Sequence, residues 1–321
     1  MGRYLLTRLG FALVLVFVVS SAALLLTRIA PGDFAELQGV DLSEDERARL
    51  RADLGLDRSL AEQYVSWLGG LVRFDFGRSL LYSRPVGSLV GERALNTAVL
   101  AIVALAMATL IGIPLGIYSG TRAGPGRFIV RVFSVIGLSV PPLIGSLALV
   151  FLAARTGWFP AGGMTSASGM DMSWAQWLAD LARHVPLPAL ALAIPMAATL
   201  ERLQSESIEA AARERFVAAS RARGVDRVRS ILRHAWPVSL RPVLGLYGVM
   251  IGSLFSGSFV VEVVTSWPGL GRLMFDALKA RDLFLVAGCA ATGALFLAAG
   301  TLVADLLLAY SDPRVRSGER A

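Results

Sequence analysis

Six long runs of this sequence contain no Asp, Glu, Lys or Arg, and they limit what the chain can fold into. Five of the runs are 19–28 residues long, and the fourth in chain order has 17 residues. The runs are 9–27, 94–121, 132–154, 184–200, 242–261 and 283–304. A helix of about 20 apolar residues crosses the hydrocarbon core of a bilayer. The runs therefore predict an all-α, polytopic membrane protein with six transmembrane helices.

The composition excludes several other classes of protein. Hydrophobic residues make up 55% of the chain and charged residues 17%, whereas about a quarter of a typical soluble chain is charged. A disordered chain would be far less apolar. The single cysteine, Cys289, rules out an intrachain disulfide and argues against a thiolate metal site. We expect membrane lipid around the chain, no metal site and no nucleic-acid partner.

The first and fourth runs each allow a second interpretation. Arg3 and Arg8 followed by an apolar run are also typical of a signal peptide. The run is long and has no small-residue cleavage site, so we predict a retained transmembrane helix over 9–29. The fourth run contains three prolines, but Leu203 and Ile208 predict that its helix continues beyond the first charged residues.

Glycine and proline positions predict how the runs pack and bend. A small-residue stripe at four-residue spacing predicts close helix packing rather than contact with substrate, at Gly112, Gly116 and Gly120. Prolines predict kinks in three of the runs, at Pro114, Pro141, Pro142 and Pro195. The uncharged stretch 156–170 is rich in Gly, Ser and Thr and is predicted to be a loop.

Arginine is distributed unevenly between the segments that connect the runs. The segments 1–8, 122–131, 201–241 and 305–321 carry 17 basic and 8 acidic residues, and the alternate segments carry 14 and 16. The positive-inside rule then places both termini in the cytoplasm. The predicted parts are a cytoplasmic N-terminus (1–8), helix 1 (9–29), an extracytoplasmic loop (30–93), a transmembrane core (94–310) and a cytoplasmic tail (311–321). Within the outer loop, 44–54 is predicted to be an amphipathic helix that covers the outer mouth or docks another protein.

The few ionisable residues near the runs indicate where the energy for any transport comes from. Asp305, Glu262 and Arg202 lie at run ends, where they fit interfacial residues, although Asp305 also allows a proton-relay interpretation. A P-loop requires a glycine-rich Gly-Lys-Ser/Thr sequence. The single lysine, Lys279, has no such glycines beside it. The chain is therefore predicted to be no ATPase and no enzyme, and to be driven from outside the bilayer.

The cytoplasmic segment 205–237 carries the most information about function. Its first part, 205–223, is rich in Ala, Glu and Arg, which predicts a helix with Glu209 and Arg213 in the favourable i,i+4 order. Gly224 is a predicted C-cap, and Asp226 a predicted N-cap for a second short helix that Pro237 ends. Such helices at a membrane surface fit either lipid contact through arginines or docking of a soluble partner.

The same segment resembles the cytoplasmic signature of permease subunits of bacterial ABC importers. That signature is Glu-Ala-Ala, three residues, Gly, nine residues and Ile-x-Leu-Pro. The corresponding residues here are Ala218, Ala219, Ser220, Gly224, His234, Trp236 and Pro237. The Glu and Ile are missing, but Ser-Arg-Ala-Arg-Gly at 220–224 and Leu-Arg-His-Ala at 232–235 resemble the peptide/nickel branch of the family.

Further motifs of that branch follow in order along nearly the whole chain. They are Arg-Tyr-Leu-Leu at 3–6, Pro-Gly-Asp at 31–33, Leu-Gly-Leu-Asp at 54–57, Asp-Phe-Gly-Arg-Ser at 75–79, Trp-Pro-Gly-Leu-Gly-Arg-Leu at 267–273 and Asp-Pro-Arg at 312–314. The chain is similar to the B-type permease subunit of a dipeptide, oligopeptide or nickel importer. The resemblance implies the type I ABC importer permease fold and a bacterial inner membrane location.

The resemblance also implies partners and site residues. It implies a second permease subunit, two ATPase subunits that hold ATP and Mg, and an extracytoplasmic binding protein that selects the cargo. The implied ATPase-coupling residues are Arg215, Phe216, Ala219, Ser220, Arg221, Ala222, Arg223, Gly224 and Arg227. An outer turn at Trp267, Pro268 and Gly269 fits a gate or a loop scaffold. Peptides are the expected cargo, with nickel complexes or oligosaccharides as alternatives. A secondary transporter or an intramembrane enzyme is a rival class.

Overall fold

The computed structural model describes residues 2–38, 43–54, 56–73, 75–166 and 172–311. These residues form fourteen α-helices and one π-helical turn, and their only β-type pairing is an isolated bridge between Arg78 and Pro85. The helices are α1 (Gly2–Ile29), α2 (Phe34–Gln38), α3 (Glu44–Asp53), α4 (Leu60–Val72), α5 (Val86–Thr121), α6 (Pro125–Ser139), α7 (Pro142–Thr156), α8 (Trp174–His184), α9 (Pro186–Ala212), α10 (Arg215–Ala222), α11 (Arg227–Ser230), α12 (Trp236–Val264), α13 (Leu270–Ala280) and α14 (Leu283–Ser311). The π-turn, Ile231–Ala235, lies between α11 and α12.

The described helices allow up to six membrane spans. Four stretches are long and apolar enough on their own, and they lie in α1, α5, α11–α12 and α14. Two further spans arise only if a bent helix pair counts as one, namely α6 with α7, at 105°, and α8 with α9, at 43°. The predicted all-α class is confirmed, and the predicted count of six corresponds to this upper number.

The third uncharged run, 132–154, is not the single helix that its length predicts. Helix α6 ends at Ser139, and α7 begins at Pro142. Val140 and Pro141 between them have extended backbones, because a residue that precedes proline avoids the helical region. The paired prolines therefore break the run rather than kink it, whereas Pro114 and Pro195 lie inside continuous helices.

The fourth run behaves as its flanking residues predict. Helix α9 continues to Ala212 and includes Leu203 and Ile208. Its N-terminal prolines are tolerated because the first helical residues have no intrahelical partner for their N–H groups. In the predicted loop 156–170, residues 158–166 contain no helix or strand, and 167–170 lie outside the described residues.

The contacts divide the chain into two units, residues 1–98 with 268–298 and residues 99–267 with 299–321. In the second unit, α9 is the central helix and packs against α6, α7 and α12. The glycine stripe of α5 lies against it. A Cβ at Gly112 would be 2.6 Å from the Ala197 carbonyl oxygen, and one at Gly116 would be 2.6 Å from the Gln204 Cβ. The predicted close packing is confirmed.

In the first unit, the helices between α1 and α5 pack around small apolar clusters. Leu24 of α1 meets Trp67 of α4 and Ala287 of α14. Asp282 precedes α14 and is fully buried. Its carboxylate accepts hydrogen bonds from the Ser79 hydroxyl at 2.6 Å and the Leu81 N–H at 3.0 Å. These contacts fix the loop ahead of α5 to the start of α14.

Helix α3 confirms the helix predicted over 44–54 and begins with a capping box. The Ser43 hydroxyl accepts from the Glu46 N–H, and the Glu46 carboxylate accepts from the Ser43 N–H at 2.9 Å and its hydroxyl at 2.8 Å. The backbone hydrogen bond, followed by that of the hydroxyl, lowers the pKa of Glu46. Both bonds favour the charged carboxylate, so they strengthen the helix start only while Glu46 is ionised.

This box predicts an acid-sensitive helix start. Because the folded-state pKa is lowered, the stabilisation is present above the ordinary pKa of Glu46 and is lost as the pH falls through the lowered value. Protection of the first amides of α3 against deuterium exchange should drop between about pH 5 and about pH 3. The Ser43→Ala variant should show lower protection of these amides already at about pH 5. The start of α13, which follows Gly269 without a side-chain cap, should not respond to Ser43→Ala.

Candidate functional site

The predicted coupling residues form a helix–glycine–helix arrangement at the end of α9. Helix α10 ends at Ala222, and Gly224 has φ of +83°, the left-handed region that glycine adopts without strain. Asp226 caps α11 by accepting a hydrogen bond from the Val228 N–H at 2.9 Å. The predicted N-cap is confirmed, whereas the C-cap of α10 is Arg223 and Gly224 is the left-handed residue that follows it. The helix predicted over 205–223 is divided between α9 and α10 at residues 213–214. We call residues 215–227 the coupling segment.

A small apolar cluster anchors the coupling segment to the transmembrane helices. Val217 of α10 is buried with Ile208 and Ala211 of α9, and with Ile231 and Ala235 of the π-turn. The buried hydroxyls of Ser220 and Ser230 are 3.2 Å apart and hydrogen bond between α10 and α11. Through these contacts, α10 is held on both α9 and the helix that leads into α12.

The opposite side of the segment faces outward. Of the nine predicted coupling residues, eight are exposed and Ser220 is buried. Phe216 is 42% exposed although its neighbour Val217 is 2% exposed. The exposed set combines an aromatic side chain with arginines and is not covered by the described part of the chain. A partner could therefore bury Phe216 at the centre of a basic rim.

The structure corrects the prediction that Pro237 ends the second short helix. The chain passes from α11 through the π-turn Ile231–Ala235 into α12 without leaving helical geometry. The Trp236 N–H donates to the Ile231 carbonyl, five residues back. This wider turn shifts the hydrogen-bond register immediately before Pro237, which has no N–H to donate. Helix α11, which begins at the last residue of the coupling segment, is thus continuous with α12.

An ion-pair network beside the segment was only partly predictable. Glu209 pairs with Arg213 at 2.7 Å, which confirms the i,i+4 pair, and also with Arg127 of α6 at 2.8 Å. The Arg227 guanidinium donates to the Thr121 carbonyl at 2.8 Å. The Arg127–Glu209 and Arg227–Thr121 contacts each join residues that are more than 80 positions apart in the sequence. In the sequence, only the arginine excess of these loops indicated such long-range contacts.

The outer turn at 267–269 has different contacts in each unit. In the second unit, Trp267 is fully buried, and its N–H donates to the Glu262 carbonyl at 2.9 Å. In the first unit, the Pro268 carbonyl accepts hydrogen bonds from the side chains of Arg93 and Asn96, at 3.2 and 2.8 Å. Contacts of this kind suit a scaffold, and a role as a gate stays a prediction.

The described residues contain no cluster of three or more His, Cys, Asp or Glu side chains able to hold a metal ion. The two histidines lie apart. His184 ends α8, where its Nδ1 is 2.8 Å from the Asp180 carbonyl oxygen, and His234 lies in the π-turn. In the contacts that the structure gives, neither lies beside a nucleophile.

A helical chain with up to six spans and an anchored helix–glycine–helix surface defines the class of transporter permease subunits. The family model for the binding-protein-dependent transport system inner membrane component matches residues 112–317, and a model for its N-terminal part matches 1–84. The chain belongs to this family. It is a multi-pass membrane permease.

Named relatives and a solved structure are consistent with this assignment. The oligopeptide transport system permease protein AppB of Bacillus subtilis is 30% identical, over 98% of this chain and 99% of that protein. A putative peptide transport system permease protein of Brucella abortus is 35% identical over the same shares. A chain of the MetNI methionine ABC transporter has a TM-score of 0.51 at 16% identity, covering 72% of this chain and 97% of that chain. That likeness shows the type I permease fold.

Proposed function

We propose that this chain is one of two permease subunits of an ATP-driven importer for di- or oligopeptides in the bacterial inner membrane. Two ATPase subunits would bind the coupling segment from the cytoplasm, and an extracytoplasmic binding protein would deliver the cargo. The observation that carries the proposal is the coupling segment itself, which is exposed on one side and anchored in the transmembrane helices on the other.

The anchoring suggests how motion of an ATPase would reach the membrane. A displacement of α10 acts on α9 through Val217 and Ile208, which share one buried cluster. It acts on α12 through the continuous helix that contains the π-turn. Helices α9 and α12 pack against each other along the core of the second unit. A rigid displacement of the coupling segment would therefore move both helices together.

The energy source would lie on other subunits. Lys279, the single lysine of the sequence, lies at the end of α13 with its ammonium group 5.5 Å from the Phe275 ring centre. No phosphate-binding loop surrounds it, so this chain supplies no lysine for a nucleotide. ATP and Mg would be held by the partner ATPases.

The cargo is inferred from the names of the relatives. Among them are one oligopeptide permease and several proteins named as peptide permeases. None of these names favours the alternatives of nickel complexes or oligosaccharides. In this class the binding protein sets the selectivity. Mass spectrometry of the ligand that co-purifies with the cognate binding protein would therefore identify the cargo directly.

Replacing Phe216 by aspartate tests the coupling surface. Full burial of a Phe side chain contributes about 1.5–3 kcal/mol, and Phe216 is 42% exposed, so a partner would gain about 1 kcal/mol by covering it. We expect Phe216→Asp to weaken binding of the ATPase subunits about fivefold or more. Phe216→Leu, which keeps an apolar side chain, should bind nearly as well. The measurement is recovery of the ATPases with the tagged chain and their affinity for it.

Undiminished ATPase binding by Phe216→Asp would contradict the assignment of this surface. A separate observation tests the class of transporter. If the purified chain alone moved peptide into liposomes in the absence of ATPase subunits, a secondary transporter would replace the ATP-driven importer. A requirement for the ATPases together with ATP would support the proposal.

A further inference from the structure

A cavity of about 280 Å³ lies between the α5–α6 loop, the end of α9 and the coupling segment. Its lining includes five arginines and one glutamate, a net charge of +4 among side chains that share one small space. These residues are Arg122, Arg127, Arg213, Arg221, Arg227 and Glu209. Like charges held close together create a positive potential that attracts an anion.

The described contacts satisfy only some of these guanidinium groups. Glu209 accepts from both Arg127 and Arg213, and Arg227 is bound to a backbone carbonyl. Arg122 lies over the Tyr118 ring at 5.5 Å. Among the described residues, the guanidinium groups of Arg122 and Arg221 have no carboxylate partner. These two arginines of the lining therefore have no described carboxylate that would compete with a bound anion.

The surroundings of the cavity indicate the source of the anion. Its lining includes Thr121, the last residue of an uncharged run, and Arg122, the first charged residue after it. In a spanning helix, the first charged residue after an apolar run commonly lies near the lipid headgroups. Helix α6 starts three residues later and exposes large apolar side chains, including Phe128 at 69% and Phe133 at 70% exposed. A headgroup phosphate in the cavity would leave acyl chains free to lie along these residues.

We propose that this cavity binds the phosphate of an anionic phospholipid headgroup, held by Arg122 from the α5–α6 loop and by Arg221 from α10. Guanidinium groups bind phosphate oxygens in charge-assisted, often bidentate hydrogen bonds. Basic pockets between helices on the cytoplasmic side are suited to such headgroups. Because Arg221 belongs to the coupling segment, the bound lipid would join that segment to the α5–α6 loop.

The test uses the purified full-length chain in detergent, titrated with phosphatidylglycerol, phosphatidylcholine or inorganic phosphate and followed by native mass spectrometry. Each arginine near an anionic headgroup contributes about 1 kcal/mol, which is about fivefold in affinity. Arg122→Gln and Arg221→Gln should therefore each weaken phosphatidylglycerol binding about fivefold, and the double variant about 25-fold. Arg122→Lys should retain most of the affinity.

Arg229→Gln is the matched control, because Arg229 is exposed on α11 and does not line the cavity. It should change the affinity less than about twofold. Equal losses in Arg229→Gln and the cavity variants, or equal binding of phosphatidylcholine and phosphatidylglycerol, would overturn the proposal. Arginine-dependent binding of inorganic phosphate without binding of phosphatidylglycerol would overturn the lipid source. If one of the two glutamine variants of the cavity elutes as aggregate, the other still tests the proposal, because each is expected to weaken phosphatidylglycerol binding about fivefold.

Discussion

Gly116→Ala should destabilise the protein by about 1–3 kcal/mol, although alanine is the better helix former. The added Cβ would be 2.6 Å from the Gln204 Cβ and 2.7 Å from the Glu201 carbonyl oxygen. The second of these is backbone of α9 and cannot turn away as a side chain can. Helices α5 and α9 would have to separate, which would weaken the buried contacts between them. The free energy of unfolding in detergent, or the thermal midpoint, measures the effect.

Gly91→Ala is the matched control because Gly91 lies in the same helix. A Cβ there meets nothing within 4 Å, so only the difference in helix propensity remains. We expect Gly91→Ala to be neutral or to stabilise by up to about 1 kcal/mol. Equal stability of the two variants would show that the stripe is not a packing surface. A loss in both would point to a general effect of alanine in α5.

Gly224→Val should abolish or nearly abolish coupled transport. Gly224 has φ of +83° and no atom within 4 Å of a Cβ built on it. The effect would therefore come from the backbone alone, which a β-branched residue cannot hold in that region without strain. The turn between α10 and α11 would change, and with it the exposed surface. We expect peptide-stimulated ATP hydrolysis of the assembled transporter to fall by about tenfold or more.

The Gly224→Asn variant distinguishes an effect of backbone conformation from an effect of adding any side chain at this position. Asparagine tolerates the left-handed region and fits the open space, so this variant should keep most of the activity. Comparable activity in the valine and asparagine variants would contradict a geometric role for this turn. Comparable loss in both would mean that a side chain of any kind obstructs a partner, which would place the contact surface on Gly224 itself.

Much of the fold could be predicted from the sequence because the physics involved is local. Absence of charge over about 20 residues defines a span, and capping residues such as Ser43 and Asp226 define helix starts. The break at Pro141 and Pro142 was expected only as a kink. Its 105° bend depends on how α6 and α7 each pack against α9, which no local pattern states.

The candidate site was predictable in its position along the chain but not in its contacts. The glycine–aspartate spacing placed the end of α10 and the start of α11 correctly, but not the break between α9 and α10 or the continuation of α11 into α12. Ser220, grouped with the docking residues, instead lies buried against Ser230. The pairing of Glu209 with Arg127 depends on how α6 folds back onto α9. The basic cavity follows from that long-range packing, so the sequence could indicate only its excess of arginine.

The π-turn at Ile231–Ala235 has a consequence for the geometry of the whole fifth span. A π-turn holds one residue more than an α-turn, and each residue of an α-helix advances the side-chain direction by about 100°. The extra residue therefore rotates the side-chain directions of α12 about the helix axis relative to those of α11. The direction in which the Arg227 and Val228 side chains leave α11 is offset from the direction in which α12 presents Val243 and Met250 to α9. The side chains of α11 and the side chains of α12 that contact α9 therefore keep a fixed angle about the common helix axis.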